Sequence, residues 1–126
     1  MIELNEVLSI HQVLIENFGG GSCVRDLNAL KSAINRPFAT FDNNELYPTP
    51  TKKAAALIES VVVNHPFVDG NKRIGYVLMR LLLLKFRMDI KASQNEKYLF
   101  VIQIASGKLR TEEILMWLDH HTFNLD

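Results

Sequence analysis

The chain has 126 residues, is 48% hydrophobic and balances 14 Lys+Arg against 14 Asp+Glu. That length suits a single domain, 1–126, with enough apolar residues for a real core, and the zero formal charge argues against a nucleic-acid binder or a protein drawn to an acidic membrane surface. One cysteine, Cys23, excludes an internal disulfide, and the acidic start MIELNEVL lacks a signal-peptide pattern, so a cytoplasmic location is expected.

In chain order, Leu4, Val7, Leu8, His11, Leu14, Ile15 and Phe18 recur at helical spacing and predict a first helix ended by Gly19-Gly20-Gly21. Asp26 is placed to cap a second helix through about Asn35, with Leu27, Leu30 and Ile34 inward, and Arg36-Pro37 stops it. Residues 37–50, PFATFDNNELYPTP, hold a turn signal, Asp42-Asn43-Asn44, between Phe38–Phe41 and Leu46–Tyr47, and read as a short hairpin or flap. Thr49-Pro50 opens a third helix to about Asn64. A fourth, Lys72 to about Phe86, is apolar on nearly every side and is expected to be central and buried; it is too short and too charged to span a bilayer. Arg73, Arg80 and Arg87 make a narrow stripe on it, best read as snorkelling or paired with acids.

Ser93-Gln94-Asn95-Glu96 is a capping box that opens a fifth helix, closed by Gly107. Thr111-Glu112-Glu113 opens a sixth, with Ile114, Leu115, Trp117 and Leu118 inward. The expected fold is all-α: a compact bundle of about six helices around a central buried helix, with one small β-hairpin flap. His11, His120 and His121 are assigned to structure or surface.

The segment HPFVDGNKRIG, His65 to Gly75, concentrates the chemistry. A helix N-terminus offers unpaired N–H groups and partial positive charge, a ready anion site. Gly70 permits unusual dihedrals and close backbone approach, and Gly70-Asn71-Lys72 can form an anion-cradling nest. Lys72 supplies a point charge and Arg73 a bidentate grip on phosphate oxygens. Between Gly70 and Met88 the chain carries basic residues and no acid, a local bias that points to a polyphosphate. Asp69 beside such a cradle would repel the ligand unless a cation such as Mg²⁺ intervenes. His65 suits a general base toward a hydroxyl that attacks phosphorus, since imidazole is the side chain that exchanges its proton near neutral pH. Phe67 is expected to pin the loop to the core, and Asp69 or Asn71 could equally serve only as a helix cap.

The run HPFVDGNKR resembles the signature of the Fic/Doc superfamily, and Lys72, where Fic proteins have a second glycine, resembles the Doc (death-on-curing) toxin branch. The likeness extends to the Gly-rich end of helix one, Arg25-Asp26-Leu27, Leu46-Tyr47-Pro48 and Ala105-Ser106-Gly107. It implies a toxin of a toxin–antitoxin system that transfers the γ-phosphate of ATP to a Ser/Thr hydroxyl of a protein, elongation factor Tu, and so arrests translation. His65 would be the base, Asp69 the Mg²⁺ ligand, and Gly70, Asn71, Lys72 and Arg73 the ATP phosphate site. Pro66 and Phe67 would be structural in the motif, and Phe41, Asp42, Asn43, Asn44, Glu45, Leu46 and Tyr47 would form a flap that docks the target.

Two departures stand out. Tyr76 replaces the second arginine usual in Fic proteins, which counts against transfer of AMP. Ile74-Gly75 replaces the Thr-Ala common in Doc relatives: a hydroxyl is lost near the phosphate loop, and the glycine costs the helix about 1 kcal/mol relative to alanine. No Ser or Thr is followed by Glu four residues later, so the autoinhibitory helix of many Fic proteins is missing and control is expected from an antitoxin whose disordered tail folds on binding. The alternatives are AMP transfer from ATP and a non-catalytic nucleotide-binding protein. Nucleic acid and membrane are not expected partners.

Overall fold

In the computed structural model, which describes residues 1–126, helices begin where the sequence offers caps. Asp26 accepts from the N–H of Ala29 at 3.0 Å and starts α2 (Leu27–Asn35). Thr49 accepts from Lys52 and starts α3 (Pro50–Asn64), with proline in the first turn. Ser93 and Glu96 cap reciprocally and start α5 (Gln94–Ala105). The first helix, α1 (Leu4–Phe18), ends where Gly19 takes a positive φ of 83°. The remaining two are α4 (Asn71–Lys85) and α6 (Thr111–His121). The architecture is all-α, as expected.

The core draws on all six helices, and its centre is a pair rather than one helix. Of the two, α3 is the more deeply buried: Ala54 through Ile58, Val61 and Val62 are all fully enclosed. Its partner α4 buries Ile74, Leu78, Met79, Leu82 and Leu83, but Lys72, Arg73, Arg80, Leu84 and Lys85 reach the surface. Gly75 sits where the two helices touch: a Cβ built there would lie 2.8 Å from Val62 Cγ2. Ile74 is fully buried. Both residues therefore serve packing.

The basic stripe is broken up. Arg80 makes a bidentate pair with Asp89. Arg87 lies beyond the helix with φ 62° and pairs with Asp126. Asp89 belongs to β3 (Met88–Ile90), which runs antiparallel to β4 (Thr122–Asn124) in the register Met88↔Asn124 and Ile90↔Thr122. This second ribbon was not expected from the sequence, because three-residue strands are too short for a period-2 pattern to stand out.

The predicted hairpin is present as β1 (Thr40–Phe41) and β2 (Asn44–Glu45), paired Thr40↔Glu45 and Phe41↔Asn44. Asp42 and Asn43 at its tip have φ 52° and 64°, the left-handed pair that a two-residue type I′ turn requires. Two cations tie it to α3. Lys53, buried, donates to the Glu45 carboxylate at 2.8 Å and to the Tyr47 carbonyl. Arg36 donates to the Tyr47 hydroxyl, to Glu59 and to Ser60. Partial burial works against the Arg36 charge, but the bonds to Tyr47 and Glu59 outweigh it and hold the guanidinium more firmly protonated.

Candidate functional site

The loop from His65 to Gly70 joins α3 to α4. His65 terminates α3 in a left-handed conformation, φ 49° and ψ 61°, with its ring exposed and making no hydrogen bond within the protein. Pro66 and Phe67 are buried. Phe67 pairs with Val24 in an isolated antiparallel bridge and stacks on the His11 ring at 3.7 Å. His11 is itself buried, and its Nε2 donates to the Asp69 carbonyl at 2.8 Å. Phe67 and His11 thus pack against each other beneath the loop.

The Asn71 side chain closes the loop. Its side-chain oxygen accepts from Phe67 N–H at 3.0 Å and its amide donates to Phe67 O at 2.9 Å, so both polar ends are spent on closing the loop. Its backbone N–H has no partner within the protein. Nor does Asp69 or Asn71 cap the helix. The N-cap is Gly70, at φ 81°, with no side-chain bond, and the first helical bond runs from Ile74 N to Gly70 O. The N–H groups of Asn71, Lys72 and Arg73 are left without protein partners at the positive end of the helix dipole.

Lys72 and Arg73 are exposed, and the Arg73 guanidinium lies 4.4 Å from the centre of the Phe18 ring. A groove of about 570 Å³ opens here between α1, α4 and α5, bounded by Gly70 to Arg73, Tyr76, Lys97 and Tyr98 among others. Burial pushes the Tyr76 phenol above its ordinary range against the opposing charge of Arg80, and its hydroxyl has no partner. Neither His65 nor Asp69 lines this groove. A second hollow of about 630 Å³ includes Arg36, Glu59, Ser60 and Asn64, the neighbour of His65. The loop thus stands between two concavities rather than on the floor of one.

The Asp69 carboxylate accepts from Gly21 N–H at 2.8 Å through Oδ2. No cluster of three acids, histidines or cysteines surrounds it. Its other carboxylate oxygen takes no hydrogen bond within the protein, which leaves a donor of the kind Mg²⁺ takes from one or two protein carboxylates, its other ligands coming from phosphate and water.

The flap residues divide by use. Phe41, 75% exposed, and Leu46, 53% exposed, present free apolar surface. Glu45 and Tyr47 are occupied in holding the flap to Lys53 and Arg36, Asn44 bonds the Asp42 carbonyl, and Asp42 and Asn43 form the tip.

Sequence reasoning missed Arg25, Gly21, Lys53 and Arg36 as organisers of the site. Arg25 donates through Nε to His65 O and through a terminal nitrogen to Asn64 O, both at 2.6 Å. An exposed loop arginine some forty residues from its acceptors leaves no local pattern. Lys53 did leave one, a lysine on the apolar face of α3.

Comparison with known proteins agrees with the loop. The family model described as Fic/DOC family matches residues 1–83, from the N-terminus through most of α4. A toxin Doc of Mycolicibacterium smegmatis is 48% identical over 59 residues, 47% of this chain and 45% of that protein. A Fido domain-containing protein of Dictyostelium discoideum is 32% identical over 69 residues, 49% of this chain and 48% of that protein. Each match spans just under half the length of the relative. With the family match running through the uncapped helix and its loop, the chain belongs to the Fic/DOC family.

Proposed function

We propose that residues 1–126 form one Fic/Doc-like domain that acts as a Doc-type toxin, an ATP-dependent kinase that phosphorylates a Ser/Thr hydroxyl of a protein target. The observation that carries this is the uncapped N-terminus of α4, where three free N–H groups, left-handed Gly70 and the exposed charges of Lys72 and Arg73 converge. Such an array holds several phosphate oxygens at once. Lys72 and the likeness to a protein named toxin Doc support the kinase branch over AMP transfer.

In this reading the target chain docks along the flap, against Phe41 and Leu46, and presents its hydroxyl to His65. The His65 ring, exposed and unengaged, takes the hydroxyl proton. The hydroxyl oxygen then bonds to the γ-phosphorus as the bond to the β-phosphate bridging oxygen breaks, leaving phosphoprotein and ADP. Lys72, Arg73 and the amides of residues 71–73 orient the phosphates and stabilise charge on the transferring group. Asp69 would hold Mg²⁺, which when bound neutralises phosphate charge. The target is elongation factor Tu, the location is the cytoplasm, and an antitoxin partner supplies the control that no Ser/Thr-x-x-x-Glu segment supplies here.

The test is incubation with Mg²⁺, a bacterial extract containing elongation factor Tu, and ATP labelled at the α- or the γ-phosphate. Label from γ alone on one band, lost in His65→Ala, is expected. Label from α would replace the kinase by AMP transfer. Tight ATP binding with no labelled product on any band would leave a nucleotide-binding protein.

A further inference from the structure

His65 occupies a backbone conformation that costs a non-glycine residue about 1–2 kcal/mol, so something outside the loop has to hold it there. Its two soft dihedrals are set by the peptide planes on either side of its Cα. The plane before it carries the Asn64 carbonyl and the plane after it carries the His65 carbonyl. Arg25 grips both, one with Nε and one with a terminal nitrogen of the same rigid guanidinium. These carbonyls lie at the end of α3, where helix acceptors have no partner within the helix and the dipole end is negative.

The arginine is itself anchored. Its backbone N–H and that of Asp26 both donate to Pro66 O, at 2.8 and 3.0 Å, and Val68 N–H donates to Cys23 O at 3.0 Å. Asp26 in turn caps α2. Segment 23–26 is therefore a brace built along the loop, and the Arg25 fork is its tip. Arg25 lines neither the groove at Lys72 and Arg73 nor the hollow beside Asn64, so its effect passes through His65.

We propose that Arg25 is a positioning residue that sets the backbone, and hence the aim, of His65; the consequence for phosphoryl transfer rests on the function proposed above. Lysine, a single point charge, cannot occupy both carbonyls with one planar fork.

The experiment compares wild type, Arg25→Ala and Arg25→Lys, with His65→Ala as control, by residue-resolved amide hydrogen exchange, thermal unfolding and γ-label transfer. In Arg25→Ala, exchange at Phe67 and Val68 should rise about tenfold or more while the amides of α3 and α4 keep their protection. The turnover number should fall about a hundredfold with KM for ATP little changed, the scale on which a misplacement of about 1 Å is felt. Arg25→Lys should restore the thermal midpoint and only a small part of both other losses. Unchanged exchange at Phe67 and Val68 overturns the proposal. So does faster exchange spread evenly over the chain, or full rescue by lysine, since either makes Arg25 an ordinary helix cap. If wild type and His65→Ala are equally inert toward ATP, the proposed function fails, and the exchange comparison still decides whether Arg25 sets the loop.

Discussion

Gly75 and Ile74 illustrate how a residue reads differently alone and in contact. By helix propensity, Gly75→Ala should stabilise α4 by about 1 kcal/mol. The contact geometry reverses that sign, because the new methyl would press on Val62, a stiff β-branched side chain in a filled core. Overpacking of this kind costs about 1–3 kcal/mol. Gly75→Ala is therefore expected to lower stability by about 1 kcal/mol net in urea unfolding. A gain in stability would show that Val62 yields. The same scale separates the motif's labour: Asn71 and Phe67 build the loop, while Lys72, Arg73 and His65 leave their side chains free of hydrogen bonds.

Among the elements, the flap depends on cations that lie outside it. Lys53 is buried beneath it and donates to Glu45 and Tyr47, with its ammonium 5.6 Å from the Phe38 ring. Lys53→Met keeps the apolar stem and deletes the donors. The Glu45 side chain is 53% exposed, so its carboxylate can be hydrated and the global cost should stay near 1 kcal/mol. Locally, the amide of Leu46, which bonds Ala39 O across the hairpin, should exchange about tenfold faster. Equal protection in the two proteins would mean that Arg36 and the hairpin turn suffice. Were the flap the docking element, the same variant should weaken transfer to protein without weakening ATP binding.

For the molecule as a whole, the C-terminal ribbon locks the end of the chain against α4. Its main electrostatic tie is Asp89 with Arg80, whose bidentate hydrogen bonds hold the Asp89 carboxyl below the usual range, helped by the Ile90 N–H. A carboxyl depressed in the native state stabilises the fold above its ordinary value and loses that contribution as pH falls through its native value. Wild type should be more stable than Asp89→Asn at neutral pH, by about 1 kcal/mol for a pair with one partner half exposed. The gap should close on acidification below about pH 4, the ordinary aspartate value. Thermal midpoints of both proteins across that range check this, and a gap independent of pH would assign the effect to packing.

What the sequence by itself determined was local. Caps, the glycine stop of α1, the turn at Asp42-Asn43 and the apolar periodicities are short-range physics, and they located six helices and one hairpin. The loop chemistry was legible for the same reason, since His65 to Arg73 are contiguous. Only tertiary structure decided which helix is most deeply buried, because α3 and α4 are both apolar and their difference lies in what packs around them. It alone brought Arg25 to His65, His11 to Asp69 and Lys53 to the flap. Those contacts obey no periodicity: each joins a side chain to a backbone or carboxylate oxygen that the fold, and not the neighbouring residues, carries into reach.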